Sequence, residues 1–263
     1  MDDAPRAVLG CLQIATDYVL DSEGPALLSR FRGVEYRSQK IRLEGDCITA
    51  ENFESSARNI TDAVRCLQPP DRCTVIGISC TSMSFTLGSK SVDQLIKDAV
   101  PGVAVTDMAR GQIEAIRVLG ARKVALFTPY IESVSLANVA MLEKGGGFEV
   151  VSRITMGLER DEQTSAVSIE CIREWAKAVD VERADLVVIG CSALRACPPN
   201  GFIDDLEADL GKPVVTSTQA FLWIMLRTAG VREQITLNLW HRTTRVEPED
   251  VRWKVPGSAP FVL

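Results

Sequence analysis

Short apolar runs alternate along this chain with longer segments in which apolar positions recur every three or four residues. The runs have strand length and the amphipathic segments have helix length. That alternation is the signature of parallel α/β sheets whose strands are buried on both faces. Strands are predicted at Ala7–Ile14, Gly33–Lys40, Thr74–Ile78, Val103–Thr106, Lys123–Thr128, Phe148–Ile154, Leu186–Gly190 and Pro213–Thr216. Helical periodicity covers Thr49–Leu67, Val92–Ala99, Met108–Leu119, Ser133–Lys144, Ser165–Val179, Asp204–Leu210 and Gln219–Ala229. Gly120, Gly211 and Gly230 fall where helices end in a left-handed residue, and Gly145-Gly-Gly147 closes another helix. Thr49, with Asn52 behind it, reads as an N-cap.

The pattern is written twice. Asp71-Arg-Cys-Thr-Val-Ile-Gly-Ile-Ser-Cys80-Thr-Ser-Met recurs as Arg183-Ala-Asp-Leu-Val-Val-Ile-Gly-Cys191-Ser-Ala-Leu. Pro101-Gly-Val-Ala-Val-Thr106 is answered by Lys212-Pro-Val-Val-Thr216, and Ala115-Ile-Arg-Val-Leu-Gly120 by Met225-Leu-Arg-Thr-Ala-Gly230. The offset is 111 residues for Cys80/Cys191 and 110 for Thr106/Thr216 and Gly120/Gly230. Such an echo implies two pseudo-symmetric lobes, each a short, mainly parallel sheet flanked by helices, with the active site in the cleft between them. The first lobe takes residues 1–107 together with 215–263, and the second takes 108–214. Residues 231–263, rich in proline and carrying Trp240 and Trp253, read as an extended strap, with a lid or an oligomer contact as alternatives.

Composition narrows the chemistry. A net charge of −6 and no basic run leave no electrostatic footprint for nucleic acid. No apolar stretch is long enough to span a membrane, and the start of the chain lacks the pattern of a signal peptide. Eight cysteines without an export signal read as reduced thiols in the cytoplasm. The spacings Cys66-x6-Cys73-x6-Cys80 and Cys191-x5-Cys197 match no zinc site. The single histidine, His241, lies outside both repeats, which disfavours Ser-His-Asp and Cys-His hydrolases. Neither a Walker A nor a dinucleotide fingerprint is present, so no cofactor is expected.

What is left is the cysteine pair. Ligands collect beyond the carboxyl ends of parallel strands, and both Cys80 and Cys191 directly follow an apolar run. If a helix begins after each, its N-terminus favours the thiolate. Thr81, Ser82 and Ser192 offer hydroxyls to a carboxylate or an enediolate. One thiolate could take a proton or add to carbon while the opposite thiol delivers a proton to the other face. The remaining six cysteines read as core or packing residues. Thr106 and Thr216 either line the cleft or cap the next helix. Asp17 and the run Glu159-Arg160-Asp161-Glu162 read as solvated loop residues, Arg195 as an exposed helical arginine, and Lys144 as a helix C-terminal charge.

These residues resemble the aspartate/glutamate racemase superfamily, whose members have two α/β lobes and two facing cysteines. Within it, Cys80-Thr-Ser-Met-Ser-Phe and Ala125-Leu-Phe-Thr-Pro-Tyr130-Ile resemble the arylmalonate decarboxylase and maleate cis-trans isomerase branch. Ile14-Ala-Thr-Asp17, Gly157-Leu-Glu, Cys191-Ser-Ala-Leu-Arg-Ala and Val215-Thr-Ser-Thr-Gln-Ala-Phe-Leu-Trp most resemble the ectoine-utilisation proteins of that branch. The resemblance implies Cys80 and Cys191 as catalytic groups and Thr81, Ser82, Tyr130 and Ser192 as carboxylate contacts. It also implies Thr16 and Asp17 as substrate contacts, a small carboxylate substrate, no cofactor and a homodimer or higher homo-oligomer. Decarboxylases of the branch have glycine where Cys80 stands, so both thiols of an isomerase or racemase are available here. Maleate isomerases carry an asparagine near Asp17, and an acid there repels a second carboxylate or prefers an amine. Three readings follow: a two-cysteine racemase or cis-trans isomerase, with ectoine catabolism as a setting; a malonate-type decarboxylase using Cys191; and a non-catalytic two-lobed binding protein.

Overall fold

The computed structural model describes residues 4–232, so the reading of the tail beyond Arg232, including His241, lies outside the described residues. The first half runs β1 (Ala7–Ile14), α1 (Leu20–Leu28), β2 (Val34–Ile41), α2 (Ala50–Ser56), α3 (Arg58–Arg65), β3 (Val75–Ile78), α4 (Thr81–Leu87), α5 (Ser89–Lys97), β4 (Ala104–Asp107) and α6 (Met108–Val118). The second runs β5 (Lys123–Tyr130), α7 (Glu132–Ala140), β6 (Glu149–Leu158), α8 (Asp161–Ser165), α9 (Ile169–Val179), β7 (Leu186–Ile189), α10 (Phe202–Leu210), β8 (Val214–Thr216) and α11 (Ser217–Thr228). All eight predicted strands form. They build two four-stranded sheets of one topology, β2-β1-β3-β4 and β6-β5-β7-β8, with every neighbouring pair parallel.

The order fixes where ligands go. In each sheet the chain leaves the first strand for one edge and returns to its other side, so a crevice opens beyond the carboxyl ends of β1 and β3, and again beyond β5 and β7. Cys80 follows β3 and Cys191 follows β7, while Thr16 and Asp17 follow β1 and Tyr130 ends β5. The central strands are dry: every residue of β1, β3 and β7 is buried, whereas the edge strand β2 is mostly half-buried.

Two helices tie the halves together. α6 leaves the first sheet and packs on α11 and against β8; α11 leaves the second sheet and packs on β3 and β4 of the first. Residues Ser217–Leu226 of α11 are all buried, so this helix has no solvent face. Two glycines admit it. A Cβ on Gly77 of β3 would lie 2.6 Å from Met225 Sδ, and one on Gly111 of α6 would lie 2.8 Å from the Ala220 carbonyl oxygen.

Several sequence expectations change. The helix expected over Thr49–Leu67 is two helices, broken after Ser56. There Ser56 Oγ donates to the Asn52 carbonyl (2.6 Å) and accepts from Glu44 N (2.7 Å), and such back-bonding bends a helix. Thr49 does cap α2, accepting from Asn52 N at 3.3 Å. The helix expected from Ser165 starts at Ile169 under a Ser168 cap, with α8 as a separate turn before it. Thr216 caps α11 through Gln219 N (3.2 Å), but its counterpart in the first half is Asp107, which caps α6 through Arg110 N (2.9 Å), and not Thr106. Helix α1 was not expected, and α4 was expected only as a helix start after Cys80, with no periodicity to mark its range.

Adding a methyl at the crossing should be felt throughout. Gly111→Ala forces α6 and α11 apart against backbone that cannot rotate away, and overpacking of this kind costs about 1–3 kcal/mol. Chemical denaturation should show a lowered midpoint with unchanged slope, and an unchanged midpoint would mean the crossing is slack.

Candidate active site

Cys80 is the N-cap of α4, with φ −120° and ψ 115°. Its thiol accepts from Met83 N at 3.4 Å and lies 3.4 Å from Ser82 Oγ. The next residue, Thr81, donates its hydroxyl to Ser217 Oγ (2.9 Å), which also accepts from Gln112 Nε2 (2.9 Å). Thr81 on α4 is thereby fixed by the two crossing helices, since Gln112 belongs to α6 and Ser217 begins α11.

Cys191 is placed differently. No helix follows it; the chain makes a turn through Ser192–Leu194, and Cys191 itself has φ +85°. Among the described residues it is the single non-glycine in the left-handed region. That conformation costs a non-glycine residue on the order of 1 kcal/mol and is retained where the surroundings demand it. The thiol accepts a hydrogen bond from the backbone of Ala193. The expected helix N-terminus therefore exists at Cys80 and not at Cys191. Arg195, read from sequence as helical, lies exposed in this loop with its guanidinium 5.8 Å from the Tyr18 ring centroid.

The expected lowering of thiol pKa is also overturned. Burial pushes Cys80 up to about 12 and Cys191 well above the usual thiol range, and the nearby Asp161 and Asp17 carboxyls add to both. For Cys80 the rise from 9.0 corresponds to about 4 kcal/mol against the thiolate. Both thiols rest protonated, so a ligand has to supply the conditions under which one ionises.

Tyr130 lies within reach of both thiols. It is 3% exposed, its hydroxyl lies beside Cys191 and Thr81 without forming a hydrogen bond of regular geometry, and it feels the charge of both cysteines. A buried phenol without a partner is a donor reserved for something else. Its main-chain carbonyl is held by the Thr155 hydroxyl.

Asp17 is not the solvated loop residue expected from sequence. It is 1% exposed; Oδ1 accepts from Val19 N (3.0 Å), Ser192 lies beside the carboxyl, and Oδ2 has no partner. Asp161, grouped with a charged run in the sequence, is 4% exposed, and Oδ2 accepts from the Thr16 hydroxyl at 2.6 Å. Burial raises both carboxyls, Asp161 to about 6 with Asp17 contributing. This contact, together with Ser165 Oγ to Tyr18 Oη (2.6 Å) and Ile48 N to the Glu159 carbonyl (2.8 Å), closes one lobe on the other. Cys80, Thr81, Ser82, Tyr130, Cys191, Ser192, Thr16 and Asp17 are brought to one cleft. Asp161, Gln112 and Ser217 join them without having been singled out in the sequence. In the sequence Met156–Gln163 reads as a loop that could reach the cleft, but charge alone points Asp161 itself to solvent.

Two like-ordered parallel sheets, each with a cysteine past its switch point, define a two-lobed α/β protein with a two-thiol cleft. The kinship is more specific: the family model for arylmalonate decarboxylase matches residues 22–237, and the chain belongs to that family. It is 27% identical over 198 residues to the arylmalonate decarboxylase of Bordetella bronchiseptica, covering 70% of this chain and 76% of that one. It is 23% identical over 228 residues to the maleate isomerase of Nocardia farcinica, covering 84% and 89%. A cysteine-to-serine mutant of the N. farcinica maleate cis-trans isomerase, solved with a covalently bound succinylcysteine intermediate, superposes with a TM-score of 0.73 at 21% identity, covering 84% and 91%. The curated relatives thus include isomerases and a decarboxylase.

Two predictions arise here. Between pH 3.8 and about 6 the folded state keeps the Asp161 proton that the unfolded chain releases, so stability falls as pH rises through that window. Asp161→Asn should therefore gain on wild type by roughly 2.5 kcal/mol between pH 4 and pH 7, read from denaturation at each pH. A constant gap would mean that Asp161 titrates normally. At Cys191, replacement by glycine should leave the fold about 1 kcal/mol more stable than replacement by alanine, since only alanine keeps the φ penalty. Equal midpoints would show that the loop relaxes.

Proposed function

We propose that this protein is a cofactor-independent racemase or cis-trans isomerase of a small carboxylic acid, working through Cys80 and Cys191. The observation that carries this reading is a pair of buried thiols at equivalent strand ends of two facing sheets, with the unpartnered Tyr130 hydroxyl near both. In this scheme the substrate carboxylate takes donors from Tyr130 and Ser82, with Ser192 on the opposite wall and Thr81 fixing the α4 end. For racemisation, one thiolate removes the proton on the carbon next to the carboxylate. The C–H electron pair moves into an enediolate held by those donors, and the opposite thiol gives its proton to the other face. The charge ends on the second thiolate, and the roles are reversed for the next turnover. For cis-trans isomerisation, the thiolate adds to one carbon of the double bond and the opposite thiol protonates the other. Rotation and the reverse elimination follow. The covalent cysteine adduct of the N. farcinica isomerase supports this nucleophilic form.

Decarboxylation is the second reading, favoured by the B. bronchiseptica relative. There the electrons of the departing carboxyl's C–C bond remain as an enediolate, which Cys191 protonates. Cys80 separates the two, because decarboxylation needs one thiol and the other reactions need two. A setting in ectoine catabolism belongs to this proposal and rests on the sequence resemblance alone.

Incubation in deuterated water with a panel of amino, hydroxy and dicarboxylic acids tests the scheme. Solvent deuterium or isomerised product is expected with wild type and should fall at least 1000-fold in both Cys80→Ala and Cys191→Ala. Turnover that survives Cys80→Ala but not Cys191→Ala selects decarboxylation. No exchange, isomerisation or decarboxylation across the panel, with both thiols inert to iodoacetamide, leaves the two-lobed binding protein.

A further inference from the structure

The site gathers two chemically unlike sets of groups. Tyr130 and Ser82 bring hydroxyls beside the thiols. Two carboxyls from different lobes act on both thiols and are removed from water: Asp17 past β1 and Asp161 at the start of α8. Thr16 binds them into one wall, since its hydroxyl reaches Asp161 from the residue next to Asp17. Among the described residues no lysine or arginine forms an ion pair with either carboxyl. Lys40 acts on the Asp17 carboxyl through its charge, but its ammonium is hydrogen-bonded to Gln13 Oε1 (2.8 Å), the Asp17 main-chain carbonyl (2.6 Å) and Asp21 Oδ2 (2.8 Å) rather than to the carboxyl. Glu23, also buried near Asp17, is raised by that burial to about 8 and so rests largely neutral. Arg195 is exposed and lies over Tyr18.

Buried carboxyls without an ion-pair partner are held toward their neutral form, and an arriving cation favours their ionisation. Asp17 Oδ2 is an unpartnered acceptor on a side chain that is 1% exposed, and Tyr130 Oη is an unpartnered hydroxyl on one that is 3% exposed. Both unfilled groups belong to the same cleft, one suited to a cation and the other to an anion. We propose that Asp17 and Asp161 form an ammonium-binding wall, so that the substrate is a small amino carboxylic acid rather than a dicarboxylate. This deepens the reading of the site as a two-cysteine isomerase and rests on it.

The wall has a second effect. Asp161 and Asp17 are the charges that most oppose ionisation of both thiols. Burial is the larger cause of the raised thiols, but an ammonium seated against the carboxyls removes the charge part of the opposition once the substrate is in place. A dicarboxylate would do the reverse, adding a charge to a cleft that already holds two carboxyls.

Binding separates this from the fate of the chemistry. The full-length chain carrying Cys80→Ser and Cys191→Ser is titrated calorimetrically at pH 7.5 with matched pairs: 2-aminobutyrate against butyrate, aspartate against succinate, alanine against propionate. The amino member of at least one pair is expected to bind ten-fold or more tightly than its partner. Adding Asp17→Asn or Asp161→Asn should remove that preference while leaving binding of the partner unchanged or tighter. Lowering the pH to 5 should weaken the preference without any mutation, because Asp161 then carries a proton, and this arm does not depend on a variant folding. Amino members that bind no better than their partners, including no binding by either, overturn the proposal. So does an asparagine variant that weakens both members equally. Amino preference in this variant combined with no deuterium exchange in wild type would retire the isomerase reading and leave the ammonium wall standing.

Discussion

The approach of α6 to α11 at a residue without a side chain sets the dimensions of the cleft. Gly111 lets the Ala220 carbonyl come within what would be 2.8 Å of a Cβ, and at the start of the same helix Ser217 receives both Gln112 and Thr81. The loop that carries Cys80 is therefore fastened to the helix pair that joins the lobes. Packing between helices and placement of a thiol are here one constraint, because the residues that permit the crossing and those that read it out share two turns of α6 and α11. The glycine at Gly77 does the same on the sheet side, seating Met225 and Phe221 over β3 one residue before the strand ends.

Against that rigid frame the electrostatics of the cleft run uphill. Two thiols, a phenol and two carboxyls sit where water is excluded, and each is displaced toward its neutral form. A site so composed is quiet when empty. Cys191 adds conformational strain to the chemical cost, since its left-handed backbone aims a thiol at a place that relaxed backbone would not reach. Function concentrates where local preference is overruled.

That overruling also explains how far the sequence could be read. Strands were legible because buried parallel strands are continuous apolar runs, and the repeat placed the two cysteines on equivalent ones. Helix α4 was not, because Thr81-Ser-Met-Ser-Phe-Thr-Leu87 is rich in hydroxyls with poor helix propensity and is buried along its first turn, which erases an amphipathic period. Helix α1 hid behind Gly24 and Pro25, two residues that read as breakers; Gly24 is instead the spot where Tyr36 closes to 3.2 Å of a would-be Cβ. Asp161 could not be picked out of its loop because a charged residue among charged neighbours has no pattern to distinguish it from a solvated one. The repeat likewise suggested that both cysteines begin helices, and only backbone geometry reveals that symmetry was broken at Cys191.

The exchange of α11 back onto the first sheet has a consequence for the order in which the molecule is made. A ribosome delivers β1 to β4 first, yet the helix that covers β3 and β4 lies beyond Ser217, after the whole second sheet has been synthesised. The nascent first lobe is left with an uncovered apolar face on Gly77 and its neighbours until the last helix arrives. The first sheet thus gains this cover only with the last described helix, whereas α6, which packs against β8, is made before any strand of the second sheet.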